Sequence, residues 1–394
     1  MNLSFGTPGI LLSMPETSFR RLAMADLDEV ALRRLIDEGE TLFVERKQAT
    51  PREGLGPTVA SFANTLGGWL LLGIADDKTI HGYMARGDFV DHLRQTLRAE
   101  LDPLPPFAAE RVEIDGKEIG VVRVFESADT PHIVIGTGSV YVREPGGKRS
   151  IESHGELVQL ARRGEKAREK AADRLRTLPF ALEQLNAPEL LPGFSGSYDS
   201  PTHRQLILRA APLTIPGTFA DQVLSSKTGA AASELAKEVF PGGPADPTHR
   251  WIDWAYGQRG FGATAGQLGS DERSSVIADA GGVLILRIEW SKKGRQPRLR
   301  PECLTQTLEP LLHGLAQLLA QLDAHGRIVV ELVMRGFRDV HVIGDRTGSG
   351  QLPKDSFFVG AELTSPPDQD EIAELTDHLI KEIERAAGLA AWQT

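Results

Sequence analysis

The chain has 394 residues, 41% of them hydrophobic and 25% charged, with a formal net charge of −10 at neutral pH. That length exceeds one small domain and predicts two, each burying its own core. The single cysteine, Cys303, excludes an internal disulfide and a cysteine-based zinc cluster, and suits a reducing compartment. No run approaches the roughly 18 apolar residues that span a bilayer. The opening "MNLSFGTPGILLSMPETSFRR" is broken by Pro8 and Gly9 and has no basic leader, so a soluble cytoplasmic protein without membrane association is expected. The acidic balance argues against indiscriminate nucleic-acid binding, because phosphate affinity comes from Lys and Arg. Local clusters can still outweigh the sum.

In chain order, "MADLDEVALRRLIDEG" sets Leu27, Val30, Leu32, Leu35 and Ile36 near helical spacing, with Gly39 where a helix stops. "TLFVERKQ" reads as a strand centred on Leu42, Phe43 and Val44. "GPTVASFANTLGG" reads as a helix with Val59, Phe62, Ala63 and Leu66 on one face, ended by Gly67 and Gly68. "WLLLGIA" is continuously apolar, as a central strand buried on both faces requires. "DDKT" turns the chain, and "IHGYM" is a candidate to pair back.

A helix from Asp88 to Leu101 follows, closed by "DPLPPF". "AERVEI" and "KEIGVVRVF" form a hairpin through Asp115-Gly116, a strong turn signal. "HIVIG" and "SVYVRE" form another around Gly136 to Gly138. The expectation is an α+β fold: a mixed sheet with helices over residues 1–150, a helical connector and linker over 151–200, and a second α+β domain over 201–394. The connector ends in "NAPELLPGFSGSYDSP", the best linker of the chain. In the second domain "RQLILRAAPL", "SSVIADAGGVLILRIEW" and "RIVVELVMRGFRDVHVIG" read as strands. "ECLTQTLEPLLHGLAQLLAQL" and "DQDEIAELTDHLIKEIERAAGL" read as helices. This half offers no chemistry; His313 and His378 read as ordinary surface or core residues, and its expected role is specificity, dimerisation or partner binding.

Three carboxylates of the first domain are candidates for chemistry: Glu40 past the helix stop, Glu45 on the first strand, and Asp76 where the buried strand runs out. Loops at the ends of central strands are where sites assemble. If the strands of Glu45 and Asp76 adjoin, the acids converge, and Mg²⁺ or Mn²⁺ takes such oxygen ligands. Lys47 shares Glu45's strand face and is placed to offset charge on a phosphate. A spacing of five puts Glu40 and Glu45 on opposite faces of a regular strand, so Glu40 must lie in the turn before it, or a bulge must intervene. The plainer alternative is a solvated strand end.

Two basic stretches are candidate nucleic-acid contacts. "SKKGRQPRLR" holds Lys292 and Lys293, and the segment from Arg143 to Arg176 holds Lys148, Arg149, Arg162 and Arg163. Taken singly, they also read as a hairpin turn and a solvated helix face.

"LIDEGETLFVERKQ", "VASFANTLGGWLLLGIADDKTIHG" and "GSVYVRE" together resemble the Schlafen-type AlbA-like domain. That family shows Gly-Glu, then Glu-Phe-Lys on the next strand, then Ala-Phe-Ala-Asn-Thr-x-Gly-Gly. An apolar strand ending in Gly-Val-x-Asp follows, and a Tyr-x-Arg strand closes the pattern. The resemblance runs from about Leu27 to Ser150 and leaves the remainder of the chain unaddressed. It implies a metal-dependent endoribonuclease with its three carboxylates at Glu40, Glu45 and Asp76. Lys47 and Arg143 fall on the family's lysine and arginine as expected phosphate contacts, and Asn64, Thr65, Gly67 and Gly68 on its helix-to-strand turn. Arg46 replaces the aromatic residue and Ser61 an alanine.

The expected function is therefore endonucleolytic cleavage of structured RNA, tRNA foremost, with Mg²⁺ or Mn²⁺ as cofactor and a homodimer forming the cleft. A non-catalytic nucleic-acid-binding or regulatory protein is the alternative. An ATP-binding signalling role is weaker, because no phosphate-binding "GxxxxGK[ST]" loop is present and "IGDRTGSGQLPKDS" reads as a surface loop.

Overall fold

The computed structural model describes residues 22–49, 54–84, 87–184, 203–238, 250–256, 260–267, 273–291, 299–338, 340–343, 349–352, 356–367 and 369–389. Helix α1 (Glu29–Glu38) begins where the Asp28 carboxylate accepts the Ala31 N–H at 2.7 Å. It stops at Gly39, whose φ of +87° favours glycine. Leu32, Leu35 and Ile36 form its buried face.

Strand β1 (Val44–Lys47) and β2 (Gly68–Leu72) pair in parallel, joined by the crossover helix α2 (Gly56–Ala63). Then come α3 (Phe89–Glu100), β3 (Leu101–Asp102), β4 (Phe107–Ile114), β5 (Lys117–Val124), β6 (Ile133–Val134), β7 (Ser139–Glu144) and β8 (Gly147–Ser150). One sheet runs β1-β2-β5-β4 and the other β3-β6-β7-β8. The Asp115-Gly116 hairpin forms as read, with both central residues at positive φ, 51° and 71°, and Ile114 opposite Lys117.

β2 is buried on both faces. Trp69 and Leu71 pack with α1, while Leu70 and Leu72 pack with α2 and α3. Every residue of α2 is buried, because the first sheet lies on one side of it and β7 on the other.

Helix α4 (His154–Gln184) leads to β9 (His203–Pro212), α5 (Phe219–Val223), α6 (Ser226–Glu238), β10 (Arg250–Tyr256), β11 (Gly260–Gln267), β12 (Arg273–Asp279) and β13 (Val283–Ser291). After these come α7 (Pro301–Gln321), β14 (Gly326–Arg335), β15 (His341–Ile343), β16 (Ser349–Gln351), β17 (Ser356–Ser365) and α8 (Gln369–Ala386). The large sheet runs β10-β11-β12-β13-β9-β14-β17. Helices α6, α7 and α8 cover one of its faces. Ala171 and Leu175 of α4 cover the other, against Ile207, Ile285 and Val333. The connector helix is thus part of the second core. The fold class is α+β, as the sequence predicts. Among the described residues no helix is long and apolar enough to cross a membrane.

Candidate active site

Side chains alternate along β1, so Glu45 and Lys47 share one face and Arg46 takes the other. Lys47 Nζ lies 2.5 Å from Oε1 of Glu45 and 3.8 Å from Oε1 of Glu40. Glu40 therefore meets Glu45 by lying in the bend between α1 and β1, just past Gly39. An ammonium between two carboxylates is the centre of the site.

The second cation on Glu45 is Arg143 of β7, whose Nη1 donates to Oε2 at 2.8 Å. Its Nη2 donates to the Thr41 carbonyl at 2.6 Å, and the guanidinium lies over the Phe62 ring at 4.6 Å. Burial pushes the Glu45 carboxyl up, but the Lys47 hydrogen bond and the Arg143 and Lys47 charges outweigh it and hold the group below the usual glutamate range. Glu45 is accordingly an ionised carboxylate with both oxygens committed.

Arg143 does not match its expected role as a phosphate contact. Its side chain is 1% exposed, so the guanidinium orients Glu45 from beneath instead of facing solvent. Lys47, at 24%, remains reachable.

Asp76 sits on an exposed turn four residues beyond the end of β2. What is tied into the site is its backbone carbonyl, which accepts Arg46 Nη2 at 3.1 Å. Arg46 also donates Nη1 to the Ile36 carbonyl and its backbone N–H to Oε1 of Glu40 at 3.4 Å. The substituted position of the motif thus clamps the end of α1, Glu40 and the Asp76 turn together. Among the described residues no group of three His, Cys, Asp or Glu side chains is arranged to hold a metal ion, so the three carboxylates are not assembled as one set. The two that converge, Glu40 and Glu45, already share the Lys47 ammonium, and both Glu45 oxygens are taken by cations of the chain itself. The ammonium between them is the stand-in that shows the position accepts positive charge.

The helix-to-strand turn holds these strands in register. Asn64 is 2% exposed; its Nδ2 donates to the carbonyls of His132 and Tyr141 at 3.0 and 2.9 Å, and its Oδ1 accepts the His132 N–H at 2.8 Å. These are long-range bonds, spanning 68 and 77 residues. Thr65 Oγ1 accepts the Arg143 backbone N–H at 2.9 Å. Gly68 is required because a Cβ there would run into the Phe62 ring and the Phe43 carbonyl.

The basic candidates separate. Arg163 donates to the carbonyls of Asn64 and Thr65 and to Glu126, so it fixes α4 to the α2 turn. Arg149 is held between Glu144 and Glu156. Lys148 is half-buried near Thr58, whereas Arg162 is exposed. Lys292 and Lys293 lie outside the described residues. Sequence reasoning missed Arg46 and Thr41; the signal for Arg46 was a charge inside an apolar strand pattern.

Residues 40–152 match the model of the family "Schlafen, AlbA_2". They form a Schlafen-type AlbA-like domain. The Glu40–Lys47–Glu45 edge lies at the start of this Schlafen domain and Arg143 near its end. The Schlafen AlbA_2 family includes members that act on nucleic acids. No curated protein matches the chain.

Proposed function

We propose that the chain is an endoribonuclease of structured RNA, with tRNA as the leading substrate, and that phosphodiester chemistry takes place at the Glu40–Lys47–Glu45 edge. The observation that supports it most is the division of labour between the two glutamates. Glu45 is buried and fixed by two cations, whereas the Glu40 side chain is 37% exposed and Oε2 has no partner among the described residues. Glu40 is therefore the carboxylate able to take a proton from an attacking hydroxyl or water at Oε2. Lys47 supplies a reachable positive charge to a phosphate oxygen as negative charge develops there. Lys47 and Arg143 keep Glu45 ionised, Thr41 fixes Arg143 through its carbonyl, and Glu45 in turn orients Lys47. Glu40, joined by Glu45 once Lys47 turns to the phosphate, would hold Mg²⁺ or Mn²⁺, which when bound supplies an activated water and further charge stabilisation.

A-form RNA hides its major-groove edges, so recognition on this reading uses backbone and shape. The reading also places the protein in the cytoplasm, in keeping with its single cysteine, and takes the functional form as a homodimer. Light scattering gives the dimer's mass directly.

A second reading, non-catalytic RNA binding, is favoured by one observation: both oxygens of Glu45 are already occupied by cations. Incubating the protein with total tRNA in Mn²⁺ or in EDTA separates the two. Defined fragments in Mn²⁺ and none in EDTA are expected; intact tRNA in both, with a retained complex, selects the second.

A further inference from the structure

Helix α4 carries Arg163, Lys166, Lys170 and Arg174 at steps of three and four residues, which places them along one stripe of the helix. That stripe lines an open cleft of about 610 Å³. Val142 and Ile151 of the first domain and Leu213 and Ile215 of the second line it as well. The cleft thus sets a row of cations beside apolar side chains, with a volume within the range of ligand pockets.

The charges lining it do not cancel. Glu126 is taken by Arg163, and Glu156 by Arg149. Lys166, Lys170 and Arg174 have no carboxylate partner among the described residues. The acids that alternate with them along α4 do not lie in this cleft; Glu165 lines a separate recess with Arg168 and Arg327. Arg174, part-buried, adds a third cation to the lining. Its Nη2 donates to the Pro212 carbonyl, but its buried Nε has no hydrogen-bond partner. That Nε packs beside Gly282 and does not open to the cleft, so what Arg174 offers there is the positive charge of the guanidinium as a whole.

We infer that this cleft binds a nucleotide unit, its phosphate between Lys166 and Lys170 and its sugar and base along the apolar side chains. The nucleotide is either free or part of an RNA strand; the latter rests on the RNA-acting function proposed above. Arg163 joins the cleft to the candidate active site, since it holds the Thr65 carbonyl while Thr65 Oγ1 holds the Arg143 N–H.

The test is fluorescence anisotropy of a labelled oligouridylate with the full chain in EDTA, over a range of salt, with UMP as competitor. The variants are Lys166→Glu with Lys170→Glu, and, as a matched charge control on exposed α8, Lys381→Glu with Arg385→Glu. Loss of two phosphate contacts weakens binding about tenfold and lowers the log–log salt slope by about 1.4, while the control binds like the parent. Displacement by UMP identifies a site for single nucleotides, and binding of the oligomer alone identifies the strand as the source. Equal losses in both double variants, or none in either, overturn the cleft. Binding of neither oligomer nor UMP by the parent overturns it as well. If the cleft variant binds normally while Glu40→Gln abolishes tRNA cleavage, the cleft fails and the proposed function stands.

Discussion

Arg143 donates to Glu45 at 2.8 Å, although 98 residues separate them in sequence. This contact ties β7, in one sheet, to β1, in the other. With its side chain 1% exposed, the Arg143 guanidinium is held by Glu45, Thr41 and the Phe62 face, and its backbone N–H by Thr65. Replacing it with Met removes the charge and leaves Glu45 buried with one partner. Breaking one half of a buried pair costs about 3–5 kcal/mol, so Arg143→Met should lower the urea midpoint substantially. Lys47→Met, at a part-exposed position, should lower it much less.

Glu45→Gln preserves size, yet it is not a silent substitution for stability. It leaves the buried Arg143 guanidinium against a neutral amide that can satisfy one donor. A loss of about 1–3 kcal/mol is expected, the range for an unsatisfied buried polar group. Calorimetric unfolding of the variant beside its parent measures it.

The same carboxylate predicts a pH dependence. Its folded pKa lies below the ordinary value of 4.5. The unfolded state therefore binds the proton more readily, and the contribution of Glu45 to stability is complete above pH 4.5 and is lost as pH falls through the lower folded value. Acid titration of the parent should show a steeper loss of stability below that point than titration of Glu45→Gln. Parallel curves would contradict the assignment.

Asn64 joins the end of α2 to His132, just before β6, and to β7 through three hydrogen bonds made entirely inside the protein. Asn64→Ala strands two carbonyls and one N–H, at about 1 kcal/mol or more each. Asn64→Asp keeps one acceptor and loses both donors, so it should fare little better. Hydrogen exchange at the His132 amide is the direct readout: it should accelerate in Asn64→Ala and less in Asn64→Asp, which keeps the acceptor of that N–H.

Much of the first domain was legible because its signals are local. The helical spacing of Leu32, Leu35 and Ile36, the unbroken "WLLL" and the Asp115-Gly116 turn each specify their own element. The second sheet was less so. β11, "GFGATAGQ", is rich in Gly and Ala, which have low strand propensity, and it is held by neighbours on both sides. Convergence of Glu40 with Glu45 could be anticipated from Gly39. The partnership of Arg143 with Glu45 could not, because nothing in the spacing of two motifs specifies which charge is buried. Asp76 shows the opposite limit: its position past β2 was legible, but the clamp by Arg46 depends on a side chain whose direction only the packing decides.

The central claim is that Glu40 acts chemically at this edge, and Glu40→Gln tests it most directly. Its side chain is 37% exposed, pairs weakly with Lys47 at 3.8 Å and accepts the Arg46 N–H at 3.4 Å, a bond the Gln oxygen can keep, so the variant should fold as the parent does. The measurement is the initial rate of tRNA cleavage in Mn²⁺ by parent and variant at matched folded concentration. Loss of an acid–base group predicts a fall of at least about 100-fold with tRNA affinity retained. A Glu40→Gln protein that cuts tRNA at the parental rate would contradict the account.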